Sequence, residues 1–323
     1  MKVGIVGCGL IGRKRAAGAC GHEVTLVADI DRSRARALAE ETGAEATSDW
    51  RDVVNDDVDV VIVATQHDSL AEIGLAAVEA GKHTLIEKPA GRCAAELLPI
   101  KEASERRGNK VKIGYNHRFH PALLQARALV DEGALGSLLC VRGRYGHGGR
   151  IGMEKEWRCQ KHLSGGGELI DQGVHLIDLA RWFLGELRLD YGAALTSYWP
   201  IAVEDNCFLA LRGGGGEMAW LHASWSEWKN MFSFEIYGRD GKLTIDGLGG
   251  SYGLERLTFH RMLPQMGPPE TKIWEFPPPD RSWELEFRDL IRAIEDDRTP
   301  MVSVADAYAT LTLVDEIYQR GVR

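Results

Sequence analysis

Lys2-Val3-Gly4-Ile5-Val6-Gly7-Cys8-Gly9-Leu10-Ile11-Gly12 reads as a short apolar strand, a glycine turn and the start of a helix running to about Cys20. A G-x-G-x-x-G spacing alone is a weak signal, but a strand before it and a helix after it make it a dinucleotide-binding turn. Each glycine has a physical task. Gly7 makes the tight turn, Gly9 lets a pyrophosphate reach the backbone, and Gly12 lets helix and strand pack closely. The phosphates then lie on the free N–H groups at the helix start, those of Leu10, Ile11 and Gly12.

A second strand, Val24 to Ala28, ends at Asp29, about twenty residues beyond the glycines, where such folds place the acid that binds a ribose. A carboxylate there accepts from a ribose 2′-OH and repels a 2′-phosphate, so NAD rather than NADP is the expected cofactor. Arg32 and Arg34 just beyond are expected on the exposed side of a helix from Arg32 to Thr42. The alternation continues. Asp57 to Val63 is a continuous apolar run, as in a parallel strand covered on both faces. Thr65 and His67 follow at its carboxyl end, where ligands bind in such sheets. A helix from Ser69 to Ala80 leads to a strand Lys82 to Ile86 and then to Glu87-Lys88-Pro89. Proline keeps Lys88 out of helical geometry and ends the strand, so Glu87 and Lys88 stand at its carboxyl end and are expected as cofactor contacts. A helix from Cys93 to Arg107 and a strand from Val111 to Gly114 follow. Lys101, Arg106, Arg107, Lys110 and Lys112 are expected to form a solvated face. Asn116 and Arg118, with His117 between them, leave the end of this last parallel strand and are expected to reach the ligand.

At 323 residues the chain is long for one core, and two domains are expected, 1–118 and 119–323. The net charge of −8 gives no electrostatic support for binding nucleic acid or a membrane surface. No apolar run is long enough to span a bilayer, and the first residues lack the cleavage pattern of a signal peptide. Cys8, Cys20, Cys93, Cys140, Cys159 and Cys207 form no C-x-x-C pair, which fits reduced thiols and a cytoplasmic setting. Cys159 and His162 have a metal-like spacing without a second pair, so no metal is assigned.

Beyond a helix from Pro121 to Glu132 the pattern shifts to longer strands and glycine turns. Leu138 to Tyr145 alternates and precedes a glycine-rich loop, Gly146 to Gly152, suited to covering a site. Asn206–Leu211 with Glu217–Glu227, and Phe232–Tyr237 with Lys242–Asp246, read as hairpins. Helices are expected at Ser282–Asp296 and Val304–Gln319, and the Pro-rich Leu263–Pro279 reads as loop. Trp220, Trp225 and Trp228 are expected either under helices or on a sheet face that a second subunit covers. The fold class expected is an α/β Rossmann domain with a doubly wound parallel sheet, followed by an α+β domain with a large, mainly antiparallel open sheet.

Ser164-Gly165-Gly166-Gly167-Glu168-Leu169-Ile170-Asp171-Gln172-Gly173-Val174-His175-Leu176-Ile177-Asp178 carries the second candidate site. Three glycines lead into an apolar helix and admit a close backbone or ligand, and Asp171 and His175 share one helical face. Alone, that pair reads more readily as a buried structural contact. Together with Gly7-x-Gly9-x-x-Gly12, Asp29 and Glu87-Lys88-Pro89, it makes the whole chain resemble the Gfo/Idh/MocA oxidoreductases. The chain departs from that family's usual Thr-Pro-Asn-x-x-His at Thr65–Leu70.

The resemblance implies a nicotinamide cofactor, a sugar, cyclitol or sugar-nucleotide substrate, and a homodimer or homotetramer joined through the open sheet. It places the family's lysine, aspartate and histidine on Lys88, Asp171 and His175. Oxidising a secondary alcohol needs a proton acceptor beside the hydride acceptor. His175 titrates near neutrality, Asp171 can hold its ring or a substrate hydroxyl, and Lys88 can bond the reacting oxygen or itself take the proton. Alternatives are an inositol or free-sugar dehydrogenase, a glycoside-cleaving enzyme that recycles NAD in place, and a non-catalytic sugar-binding regulator. Arg118, Arg142, Arg144, Arg150 and Arg158 come from segments near the expected site. Arg118, Arg150 and Arg158 are the candidate anion contacts, suggesting a carboxylated or nucleotide-linked sugar.

Overall fold

Strand β1 (Lys2–Val6) has parallel partners on both sides, and four of its five residues are buried. With β2 (Glu23–Ala28), β3 (Glu45–Thr47), β4 (Val60–Val63), β5 (His83–Glu87) and β6 (Val111–Gly114) it forms an all-parallel sheet in the order β3-β2-β1-β4-β5-β6. The strand order reverses between β1 and β4, so the carboxyl ends of these two strands mark the ligand crevice of this sheet. The structure, a computed structural model, describes residues 1–265 and 267–321.

Two compact units divide the chain: 1–116 with 162–165 and 283–312, and 117–161 with 166–282 and 313 onward. Residues 283–312, placed with the second domain by a boundary at 118/119, thus pack in the first unit. The reason is an apolar stripe on the helix Ser282–Glu295: Phe287, Leu290 and Ile291 join Val3, Ile5, Val24, Val27 and Leu38 in one core. The same helix takes one residue, Lys112, out of the expected solvated face, while Arg106 and Arg107 are exposed as expected. Lys112 is fully buried, and its amine donates to Asp289 of that helix at 2.7 Å. Burial pushes the Lys112 amine down, while Glu286 and Asp289 pull it back up. The open edge of β6 is closed by Val302 and Ser303, whose backbone pairs with Ile113 and Lys112.

The second unit is built on an eight-stranded sheet. Its strands are β7 (Leu138–Gly146), β8 (Leu187–Leu195), β9 (Asn206–Gly213), β10 (Met218–Ser224), β11 (Met231–Gly238), β12 (Gly241–Asp246), β13 (Glu255–Arg261) and β14 (Glu270–Phe276). The order is β14-β13-β12-β11-β7-β10-β9-β8, antiparallel throughout except for the parallel pair β7 and β10. The helix Val174–Leu184 covers one face. Leu176 seats against Gly143 of β7, where a Cβ would lie 3.0 Å from its Cδ2. Arg142 and Arg144 point from β7 to the opposite, exposed face.

Two expectations change here. The stretch Leu263–Pro279 is not all loop. Thr271, Ile273, Trp274 and Phe276 are strand formers, and β14 pairs with β13 between prolines that bracket it; residue 266 lies outside the described residues. The three tryptophans part company. Trp225 is fully buried, whereas Trp220 and Trp228 are 54% and 62% exposed.

Candidate active site

In the first unit the glycine turn is shaped as its spacing requires. Gly7 has φ of +96°, the left-handed region that glycine enters without strain. A Cβ on Gly12 would stand 1.8 Å from the Gly7 carbonyl oxygen, so helix and turn pack there with no room for a side chain. A Cβ on Gly9 would meet nothing within 4 Å. The helix Leu10–Gly18 begins at Gly9 with no side-chain cap and no acid in its first turn. The backbone N–H groups of Leu10, Ile11 and Gly12 are thus offered without a protein side chain on them, beside an open space that fits a phosphate. Asp29 completes this half. Its Oδ2 accepts from the Cys8 N–H and its Oδ1 from the Asp31 N–H, both at 2.8 Å, which fixes the carboxylate at the end of β2.

The other first-unit candidates are placed as follows. Thr65 follows β4, and its Oγ1 accepts from Ser69 at 3.0 Å. His67 is buried and opens the next helix, with Nδ1 2.8 Å from the Ser164 carbonyl oxygen. Asn116 is buried at the start of the short helix Asn116–Phe119. Lys88 is half-buried in a turn closed by the Ala90 N–H donating to the Glu87 carbonyl at 2.9 Å; the Lys88–Pro89 bond is cis. Glu87, expected as a cofactor contact, has its carboxylate committed to the buried guanidinium of Arg15.

In the second unit Gly166 and Gly167 are closely packed. A Cβ on Gly166 would stand 1.9 Å from the Tyr318 hydroxyl, and one on Gly167 2.0 Å from the Glu204 carbonyl oxygen. Glu204 also caps the helical turn that begins at Leu169. Its Oε1 accepts from the N–H groups of Gly167 and Leu169 at 2.9 and 3.1 Å and from the Tyr318 hydroxyl at 2.7 Å. That carboxylate occupies the anion position of this helix start. Leu169–Gly173 is a π-helical turn before the α-helix Val174–Leu184, so Asp171 sits on a wider turn than simple four-residue spacing assumes. Gly173 admits the widened turn, since a Cβ there would crowd Leu169 and the Cys207 thiol at 3.1 and 3.2 Å.

Asp171 and His175 are both buried. Arg158 Nε lies 3.3 Å from Asp171 Oδ2. The His175 ring stacks on His117, centroids 3.7 Å apart and planes 18° apart, with the Tyr145 ring standing edge-on to both. One turn further along the helix, Asp178 receives Arg118 through two bonds, Nε to Oδ2 at 2.8 Å and Nη2 to Oδ1 at 2.6 Å. This buried fork holds the segment carrying His117 against the helix carrying His175. Sequence reasoning places His117 near the ligand without a role and gives Tyr145 none. The signal for Tyr145 is its place at the end of the buried face of β7, and for His117 its position beside Arg118.

The arginines also differ from the expectation. Arg118 is taken by Asp178, Arg142 by Glu235, Arg150 by Glu156 at 2.7 Å, and Arg158 by Asp171. Arg150 is largely exposed. Each of these four has an acid of this chain beside it, and the fifth, Arg144, lies on the exposed face of β7.

The geometry has counterparts among known proteins. Levoglucosan dehydrogenase of Pseudarthrobacter phenanthrenivorans is 27% identical over 342 residues, covering 92% of this chain and 87% of that protein. Inositol 2-dehydrogenase of Salmonella typhimurium is 32% identical over 194 residues, covering 58% of this chain and 55% of that protein. The solved complex of levoglucosan dehydrogenase with NADH and levoglucosan superimposes with a TM-score of 0.89 at 26% identity, covering 99% of this chain and 96% of that one. Residues 1–115 match the oxidoreductase family with an NAD-binding Rossmann fold, and residues 123–244 match the GFO/IDH/MocA C-terminal domain. The chain belongs to the GFO/IDH/MocA family of oxidoreductases.

Proposed function

We propose that this chain is an NAD-dependent dehydrogenase acting on a ring secondary hydroxyl of an uncharged sugar or cyclitol. What supports the substrate class is that Arg118, Arg142, Arg150 and Arg158 each already face an acid of this chain, which lessens their draw on an anion. The named ligands and substrates of the relatives, levoglucosan and inositol, are neutral polyols and support the same class.

The Gly7–Gly12 turn and Asp29 would hold the dinucleotide, whose nicotinamide supplies the hydride acceptor when bound. Asp29 presents a carboxylate where a 2′-phosphate would carry like charge, which supports NAD over NADP. His175 takes the hydroxyl proton; its side chain ordinarily titrates near neutrality, and its ring is held by the His117 stack. Lys88 bonds the reacting oxygen and stabilises alkoxide character as it develops. Asp171, clasped by Arg158, orients the imidazole or a neighbouring hydroxyl. The exposed sheet face bearing Arg142, Arg144 and Trp220 is assigned to a second copy of the chain; Trp220→Glu would lower the sedimentation coefficient, and an unchanged oligomer would refute that assignment.

The test is a substrate panel. Inositols, anhydrosugars and free monosaccharides are compared with uronates and nucleotide sugars, with NAD present and NADH absorbance as readout. Turnover is expected on neutral members. Turnover confined to the anionic ones overturns the substrate class.

A further inference from the structure

Five charged side chains lie together in the first unit, and none has a part in the reaction above. Arg15, in the helix after the glycine turn, and Glu286 and Lys112 are at most 1% exposed; Glu87 is 7% exposed, and the Asp289 side chain 11%. Arg15 bonds Glu87 through Nε and Glu286 through Nη1, while Lys112 bonds Asp289. Trp283, Glu286 and Asp289 recur every three residues and so share one face of the helix Ser282–Glu295; the Trp283 ring lies under the Arg15 guanidinium at 4.6 Å. The neighbouring strand makes room for this. Gly114 pairs with Glu87, and a Cβ there would stand 2.5 Å from Arg15 Nη2 and 3.1 Å from the Glu87 carboxyl carbon.

Stability does not account for such an array. Buried ion pairs are commonly matched or bettered by apolar side chains of similar volume, and their best-attested use is to select one arrangement. What this array arranges is the end of β5. Glu87 is the last residue of that strand, its side chain is pinned by Arg15, and the next residue is Lys88.

We propose that Arg15, anchored by Glu286, is a positioning residue for Lys88: by fixing the Glu87 carboxylate it fixes the turn from which the Lys88 side chain projects. The proposal rests on the reading of Lys88 as a catalytic group. It makes the helix Ser282–Glu295, far along the chain, part of what aims the lysine, and it gives Glu87 a task other than touching the cofactor.

A double-mutant cycle tests it. Arg15→Lys keeps the charge but loses the planar fork, and Glu286→Gln keeps the size but loses the charge. Each is made with Lys88 and with Lys88→Ala, and kcat is measured beside the Kd for NAD. With Lys88 present, Arg15→Lys is expected to lower kcat about tenfold and Glu286→Gln somewhat less, with the Kd for NAD within about twofold. In the Lys88→Ala background neither should lower kcat further by more than about twofold. Equal losses in both backgrounds would overturn the proposal, because Arg15 would then act independently of Lys88. Should Arg15→Lys fail to fold, Glu286→Gln decides alone, and wild-type kcat in that variant is overturning. A Lys88→Ala enzyme with wild-type kcat is a different failure: it removes the reading of Lys88 itself, and the proposal with it.

Discussion

Replacing Gly9 by alanine puts a methyl group where the structure has no atom within 4 Å. The Gly9 backbone, at φ −74° and ψ −164°, is open to any L residue, so the substitution brings neither clash nor strain. The stability change is expected to stay within about 0.5 kcal/mol. Cofactor binding should respond very differently. A phosphate accepts from backbone N–H at about 2.9 Å, whereas a methyl carbon keeps other heavy atoms at roughly 3.5 Å. The added carbon therefore pushes the pyrophosphate off the N–H groups of Leu10 and Ile11. Losing two bonds to a charged acceptor, at about 1.5 kcal/mol each, weakens NAD by about 3 kcal/mol, or roughly a hundredfold in Kd. Calorimetric titration with NAD, run beside a thermal melt, measures both quantities. Gly12→Ala is the contrasting variant, since its Cβ would lie 1.8 Å from the Gly7 carbonyl oxygen and must deform the turn. Gly12→Ala should lower Tm by several degrees or prevent folding. The reasoning is refuted if Gly9→Ala binds NAD with wild-type Kd, or if it loses stability as Gly12→Ala does.

Two further outcomes rest on named side chains. Wild-type kcat/KM is expected to be higher with NAD than with NADP, and Asp29→Ala to narrow the ratio; an NADP preference in the wild type would remove the role given to Asp29. Asp205 supplies a pH test. Burial pushes its carboxyl up, but bonds from the Ser197, Tyr198 and Trp199 N–H groups and from the Asn206 amide bring it below the ordinary range. Its charged form therefore stabilises the fold above the unfolded carboxyl value of about 3.9, and that contribution fades as pH falls through the lower folded value. Asp205→Asn should cost roughly 1–2 kcal/mol at neutral pH, with the difference in Tm shrinking in acid below about pH 4. A difference unchanged down to about pH 2, below the usual carboxyl range, would contradict this account.

Five strands of the parallel sheet are legible from residue order because each carries a short apolar run, whereas β3, Glu-Ala-Thr and mostly exposed, gives no such signal. The shape of the Gly7–Gly12 turn and the place of Asp29 at the end of β2 are legible for the same reason: they depend on neighbours close in sequence. What escapes is set by partners far away. Lys112 reads as a surface charge until Asp289, 177 residues on, is seen beside it, and Arg15 meets Glu286 across 271 residues. Gly166 and Gly167 leave open a close backbone or a ligand, because the Tyr318 hydroxyl and the Glu204 backbone that crowd them lie well beyond the local stretch. Five arginines point to an anion when read from pattern alone, which shows a charge and conceals the acids beside Arg118, Arg142, Arg150 and Arg158. The π-helical turn at Leu169–Gly173 has no local sequence signal beyond Gly173, whose need arises from contact with Cys207 on another strand.

The central claim is that Lys88 and His175 act on the hydroxyl while the Gly7–Gly12 turn and Asp29 hold the cofactor. Single-turnover formation of NADH from the preferred polyol, in enzyme pre-loaded with NAD, tests it most directly. For Lys88→Ala and for His175→Ala the account predicts a rate lower by about a hundredfold or more, with the Kd for NAD within about twofold of wild type. A His175→Ala enzyme that formed NADH at the wild-type rate across pH would contradict it and leave His175 a buried structural partner of His117.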